Sequence, residues 1–360
     1  MRIVFIGTRG VPATYSGFET CVEQVGGRMV ELGHEVHVHC RSSHYHDHPA
    51  LYRGMHLHYL PSIKQKHLET LSHTALGTLR MPRDTAIVCM GVGNAPVVRV
   101  LELRGRRAVF NVDGADWQRD KWGRFARWYL KTSERIASSG RSIVVADAEA
   151  VQSYYRREHG RDSELIRYGA VAPADTGTTV LERFGLSPSQ YLLFVGRLVP
   201  ENAPHEYLEG VKLAGLAVPS VVVGDATYAE EYKQSLRANA PINTVFTGFQ
   251  FGPAYQQLTA HAGLYVLAAT VGGTHPVLVE QMAAGNAILA RDTESNREVA
   301  GEAAAYWRTA AELADLLRSL WPDTERRRQL GDCARARARE RYSWDQVTER
   351  YVELCERSLA

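Results

Sequence analysis

Short apolar runs of strand length alternate along this chain with longer runs whose apolar positions recur every three to four residues. Arg2–Gly7 (RIVFIG) is apolar at nearly every position, as a strand covered on both faces requires, and Phe18–Leu32 then takes up the helical period. The same alternation predicts strands at Glu35–Cys40, Ala86–Met90, Ala108–Val112, Ser142–Ala146 and Leu165–Tyr168. Helices are predicted at about Gly123–Ala137 and at Ala148–His159. Strands separated by helices imply a parallel sheet covered by helices.

The segment Tyr168–Gly185 (YGAVAPADTGTTVLERFG) is rich in Gly, Ala, Pro and Thr with weak periodicity, and reads as a linker. A second alternation follows. Strands are expected at Tyr191–Gly196, Ser220–Gly224, Thr244–Thr247, Leu264–Ala268 and Ala287–Ala290, and helices at Pro204–Ala214, Tyr228–Asn239 and Pro276–Ala284. The tail Trp344–Leu359 is a predicted helix with Val347, Tyr351 and Leu354 on one face. The expected architecture is α/β: two doubly wound, Rossmann-like parallel-sheet domains facing across a cleft, residues 1–170 and 171–342, with the helix of residues 343–360 crossing back to the first. Open parallel sheets bind ligands beyond the carboxyl ends of their strands, so the chemistry is expected there.

A chain of 360 residues with 45% hydrophobic side chains exceeds one compact core, in keeping with two domains. Its 42 basic and 40 acidic residues nearly balance and form no long run, which argues against a nucleic-acid partner. The five cysteines (Cys21, Cys40, Cys89, Cys333, Cys355) are odd in number and contain no CxxC pair, and read as reduced core thiols of a cytoplasmic protein. No apolar run approaches the roughly 20 residues of a membrane span. Docking on a membrane surface stays open.

The sharpest chemical signal is Gly272-Gly273-Thr274-His275-Pro276, which opens a helix carrying Glu280. Proline at the first helical position after two glycines makes an amino terminus whose backbone amides and dipole favour an anion. Glu280, one turn on, can accept hydrogen bonds from ribose hydroxyls. An ordinary capped helix explains the same letters. In Phe194-Val195-Gly196-Arg197-Leu198, with Pro200-Glu201-Asn202 behind it, an arginine at a strand's carboxyl edge can neutralise a diphosphate leaving group, or simply pair with a surface carboxylate.

After the first strand come Gly7-Thr8-Arg9-Gly10 and Ser16-Gly17-Phe18-Glu19, without a GxGxxG fingerprint, and Cys40 and Arg41 stand where a dinucleotide enzyme would carry an acidic residue. Here a tight turn and a ligand contact are equal readings. Asp113 and Asp116 in Asn111-Val112-Asp113-Gly114-Ala115-Asp116 lie just past a strand end. Asp113 is the candidate for the transferred sugar or the acceptor hydroxyl, and Asp116 for a structural pairing with Arg119 and Lys121. The alternate histidines of His44-Tyr45-His46-Asp47-His48 lack dedicated zinc spacing, so no metal site is expected. Lys64–His73 (KQKHLETLSH) suits an acceptor-binding loop or a solvated surface.

The segments GTRGVPATYSGFET, KHLETLSHT and VDGADWQRDKWGRFARWYLK, followed by FVGRLVPEN, VVVGDA, VFTG and VGGTHPVLVEQMAAG, together resemble the GT4 family of retaining glycosyltransferases over the whole chain. The resemblance points within that family to the bacterial subgroup with a DUF1972-type amino-terminal domain, which includes rhamnosyltransferases of capsule and polysaccharide assembly. It implies a GT-B fold in which Gly17 lies near the diphosphate, Arg197 binds it, Thr247 and Gly248 approach the base, and Glu280 holds the ribose. The wider family commonly carries lysine where Asn202 stands and a glutamate where Gly272 stands. In the subgroup Gly273, Thr274 and His275 take over contacts to sugar and phosphate. Asp113 occupies a place where many relatives have histidine.

The resemblance further implies retaining transfer without a protein nucleophile, metal or cofactor. The departing phosphate oxygen takes the acceptor proton, while Arg197 and helix amides meet the diphosphate charge. The donor expected is a nucleotide sugar, dTDP-rhamnose, and the acceptor a saccharide or lipid-linked saccharide at the inner face of the membrane in bacterial polysaccharide assembly. A UDP-sugar-dependent transferase, a nucleotide-sugar epimerase or hydrolase, and a nucleotide-sugar binding protein without turnover are the alternatives.

Overall fold

The computed structural model describes residues 1–13, 17–63, 65, 69–79, 81–112, 117, 123–173, 177–226, 229–271 and 274–360. These residues form two compact units, Met1–Gly169 with Trp344–Ala360, and Ala170–Ser343.

The first unit contains β1 (Arg2–Ile6), α1 (Gly17–Glu31), β2 (Glu35–Arg41), β3 (Leu51–Tyr52), β4 (Met55–Leu60), α2 (Glu69–Thr78), β5 (Thr85–Met90), α3 (Ala95–Leu103), β6 (Ala108–Asn111), α4 (Arg124–Ser139), β7 (Ile143–Ala146), α5 (Glu149–His159) and β8 (Glu164–Leu165). The sheet order is β3-β4-β2-β1-β5-β6-β7-β8, and every pair is parallel except β3 with β4. Successive residues of a strand face opposite sides of its sheet, so β1 divides between two cores. Ile3 and Phe5 join one apolar cluster with α1, and Val4 and Ile6 join the other with α3, α4 and α5.

The second unit contains α6 (Thr179–Arg183), β9 (Leu192–Val195), α7 (Pro204–Ala214), β10 (Ser220–Val223), α8 (Glu230–Asn239), β11 (Thr244–Gly248), α9 (Gly252–Ala260), β12 (Leu264–Leu267), α10 (Pro276–Ala284), β13 (Ile288–Arg291), α11 (Glu294–Ala300), β14 (Ala305–Trp307), α12 (Ala310–Leu320) and α13 (Thr324–Arg341). Its sheet is wholly parallel in the order β11-β10-β9-β12-β13-β14. The last helix, α14 (Trp344–Leu359), packs on the first unit. It buries Val347, Tyr351 and Leu354 beside α1, β5 and β6, and Asn111 Nδ2 donates to the Tyr351 hydroxyl at 2.9 Å.

The periodicity reading assigns no element to α3, α9, α11, β14, α12 or α13, and three further segments depart from it. Met55–Leu60 (MHLHYL) is a strand with Met55, Leu57 and Leu60 buried. Histidine fills the exposed positions 56 and 58, so the segment alternates as a strand covered on one face does and lacks the continuous apolar run of the other strands. Part of the Lys64–His73 segment is the first half of α2, where His73 and Thr74 are buried rather than presented in a loop. The Tyr168–Gly185 linker includes α6, anchored by the fully buried Leu181.

Candidate active site

The carboxyl edge of the second sheet is built by close backbone approach. Gly196 follows β9, and its amide donates to the Val223 carbonyl at 3.0 Å. The Gly224 amide donates to the Gly248 carbonyl at 2.9 Å. Gly224 has φ +134°, and a Cβ there would lie 2.0 Å from the Gly196 carbonyl oxygen, so no other residue fits. Three strands therefore end side by side in glycine, at Gly196, Gly224 and Gly248.

The next residues curl back over this edge. Asn202 Nδ2 donates to the Arg197 carbonyl at 2.9 Å, which closes the turn of residues 200–202 and fixes where Arg197 leaves the strand. That turn is tied to the loop after β12, because the Thr270 amide donates to the Glu201 carbonyl at 3.1 Å. Asn202, where the resembled family commonly has lysine, serves here as a brace of the arginine loop. Thr247 Oγ1 donates to the Gly248 carbonyl at 3.0 Å, and Gln250 Nε2 donates to the Thr247 carbonyl at 2.8 Å, so the Thr247–Gly248 corner is self-supporting.

Helix α10 starts at this edge. His275 is its cap residue, without a side-chain capping bond, and Pro276 stands at the first helical position. The His275 carbonyl accepts from Leu278 at 2.9 Å and from Val279 at 3.3 Å. Since proline has no amide, the first-turn donor left for an anion narrows to Val277. Thr274 is buried just before the cap. Gly273, expected to share this work, lies outside the described residues, as does Gly272.

Glu280 projects from the second turn of α10. One of its oxygens accepts a hydrogen bond from the Tyr255 hydroxyl on α9 at 2.5 Å. Burial pushes Glu280 up to about 7, and the Tyr255 hydrogen bond opposes that rise only in part. Tyr255 is itself held well above its ordinary value by burial and by the Glu280 carboxylate. The fully buried Tyr265 hydroxyl, raised by the same causes, has no hydrogen-bond partner among the described residues. A group that waits half-protonated near neutrality gains its full charge when hydroxyl donors arrive to solvate it. The sequence pattern names Glu280 as a candidate but not Tyr255, because a tyrosine on a neighbouring helix leaves no spacing signature.

Gly17 lies in the first unit, at the start of α1. The carboxylates of α1 hold the preceding loop: Glu19 accepts from the Arg9 amide at 3.0 Å and Glu23 from the Ala13 amide at 2.8 Å. The loop amides offered by Gly7-Thr8-Arg9-Gly10 are thus partly engaged. Asp113, Asp116 and their basic neighbours Arg119 and Lys121 lie outside the described residues. In the histidine cluster, His44 meets Glu69 at 2.7 Å and His48 stacks on Tyr59. Among the described residues no group of three or more His, Cys, Asp or Glu could hold a metal ion.

Residues 182–337 match the family model "Glycosyl transferases group 1". The second unit carries a group 1 glycosyltransferase domain. Arg197, Asn202, Thr247, Gly248, Thr274, His275 and Glu280 all fall inside it. Residues 89–171 match a second model, the domain of unknown function DUF1972. No curated protein matches the chain.

Among solved structures the chain is similar to HepE of Anabaena in complex with UDP, at 17% identity over 98% of this chain and 99% of that one, TM-score 0.77. It is similar at 17% identity to a sucrose-phosphate synthase of Thermosynechococcus elongatus, over 99% and 98% of the two chains, TM-score 0.80. It is also similar to WaaG, a glycosyltransferase involved in lipopolysaccharide biosynthesis, at 14% identity over 98% and 99%, TM-score 0.74. The fold is GT-B, and the domain that carries Arg197 to Glu280 is that of a glycosyltransferase.

Proposed function

We propose that this protein is a retaining, metal-independent glycosyltransferase that moves a sugar, rhamnose from dTDP-rhamnose, to a saccharide or lipid-linked saccharide acceptor in bacterial polysaccharide assembly at the cytoplasmic face of the membrane. The observation that carries the reading is the single edge of the group 1 domain at which a braced arginine, a glycine corner and the start of α10 with its half-buried glutamate occur together. Arg197 meets the diphosphate as the bond from the anomeric carbon to the phosphate oxygen breaks. The freed oxygen takes the proton of the acceptor hydroxyl as that hydroxyl bonds to the anomeric carbon on the same face. The amide of Val277 and the residues Gly273, Thr274 and His275 complete the phosphate and sugar contacts, Thr247 and Gly248 border the base, and Gly17 and Asp113 serve from the first domain.

Glu280 bears on the nucleoside. With one oxygen engaged by Tyr255, a single hydroxyl satisfies the carboxylate, as a deoxyribose offers. A uridine diphosphate sugar is the second reading, favoured by the capacity of each carboxylate oxygen for more than one hydrogen bond.

Thermal stabilisation against dTDP, UDP and their sugars tests both. A ligand at about a hundred times its dissociation constant contributes about 2.7 kcal/mol, which for domains of this size is about 5–10 °C. The expected result is a shift with dTDP that Arg197→Ala abolishes, followed by transfer from dTDP-rhamnose to an acceptor. A shift with UDP alone refutes the thymidine assignment, and no shift with any nucleoside diphosphate refutes the transferase reading.

A further inference from the structure

The outward face of α4 carries a feature that the donor chemistry leaves unused. Ala126, Leu130, Ser133, Glu134 and Ala137 turn inward, and α3 packs beside the helix. On the other side Phe125 is 69% exposed and Trp128 60% exposed, with ring centroids 5.8 Å apart. Two large aromatics three residues apart on one helix face lose apolar burial that a soluble surface normally recovers. Arg124, Arg127, Lys131 and Arg135 are exposed around them. Lys131 Nζ sits 3.9 Å over the Trp117 ring, which adds a third aromatic to the same neighbourhood. The only acidic residue of α4, Glu134, is buried and accepts from the Tyr154 hydroxyl at 2.9 Å. The exposed face of α4 is therefore aromatic, and its charges are all cationic.

We propose that this face of α4 docks on an anionic membrane surface. Aromatic rings with an apolar body settle at the level of the lipid headgroups, and surrounding cations are drawn to anionic lipid. No helix among the described residues is long and apolar enough to cross a membrane, so the contact is peripheral. A second copy of this chain fits the face poorly, because a symmetric pairing would set Arg124, Lys131 and Arg135 against the same cations of the other copy. The patch also has a useful address. The Tyr129 hydroxyl on the first turns of α4 donates to the Gly93 carbonyl at 2.6 Å, and residues 91–94 follow directly on the carboxyl end of β5. The aromatic pair thus lies at the carboxyl edge of the first sheet, where a parallel sheet binds its ligand. A lipid-linked acceptor held in a bilayer would meet the enzyme at that edge. This last step rests on the acceptor reading above, whereas the docking itself does not.

The test is co-sedimentation of the full-length protein with phosphatidylcholine vesicles, with and without about one third phosphatidylglycerol. Binding is expected to anionic vesicles only, to fall about fivefold for each of Arg124→Glu and Arg135→Glu, and to be largely released by molar salt. Phe125→Ser with Trp128→Ser is expected to weaken binding about tenfold or more. Both substituted side chains are exposed, and the melting midpoint and the nucleotide-induced shift of each variant are expected to match wild type. Absence of vesicle binding, equal binding to neutral vesicles, unchanged binding in the aromatic variant, or concentration-dependent self-association that the aromatic variant removes would each overturn the proposal. Vesicle binding with no nucleotide shift would leave the docking surface standing and refute the transferase reading instead.

Discussion

Replacing Glu280 by glutamine should make the ligand-free protein more stable at alkaline pH and leave it unchanged in acid. The folded protein holds Glu280 near 7, against the 4.5 of an ordinary glutamate, because burial disfavours its charge. Between those values the native state keeps a proton that the unfolded chain releases, so stability is full below about 4.5 and falls as pH rises through about 7. The interval corresponds to about 3 kcal/mol, or about 6–12 °C for a domain of this size. The amide oxygen of the substituted side chain would still accept from Tyr255, and the amide would never ionise. Calorimetry of both proteins should give nearly equal midpoints at pH 5 and a higher midpoint for Glu280→Gln at pH 8. In parallel, the nucleotide-induced shift should shrink, since a hydrogen bond to a charged group contributes about 1.5–3 kcal/mol and one to a neutral amide about half of that. A difference between the two proteins that does not change with pH would refute the reasoning. So would a wild-type protein that is more stable at pH 8 than the variant. A confirmed result would mark Glu280 as a site where stability is given up for binding.

Gly224→Ala places a methyl group against the Gly196 carbonyl in a backbone conformation reserved for glycine, and should lose about 3 kcal/mol or more of stability. Denaturant unfolding checks this, with Gly160→Ala, where nothing lies within 4 Å of the added carbon, as the comparison for positive φ alone. Among the cysteines, Cys333 is exposed and the other four are buried, with Cys21 and Cys355 pushed up to about 12 and Cys40 to about 11 by burial. A thiol reagent should therefore label one group quickly in the native protein and none in Cys333→Ser.

The alternation of strands and helices was legible because it is local. A strand covered on both faces must be apolar at consecutive positions, as in Ile3–Ile6, and a helix with one buried face must repeat every three to four residues, as α14 does with Val347, Tyr351 and Leu354. Glycine and proline punctuation likewise named Arg197 and Glu280 as candidates, and the structure sets both in the second unit, Arg197 just after β9 and Glu280 in α10. Such local reasoning failed at Met55–Leu60, whose alternation of buried apolar residues with exposed histidines lacks the continuous apolar run that marks the other strands, and at Cys333, which a core-thiol reading placed inside and which α13 holds at its surface.

What the tertiary structure alone decided concerns pairs distant in sequence. The strand order of each sheet, the approach of Gly224 to the Gly196 carbonyl, and the brace from Asn202 to Arg197 all follow from packing. So does the meeting of Tyr255 with Glu280 across two helices. Sequence determines which residues can accept a proton or a hydroxyl. The value near 7 at Glu280 comes from the protein packed around it, because desolvation is a property of the surroundings and of no residue taken alone.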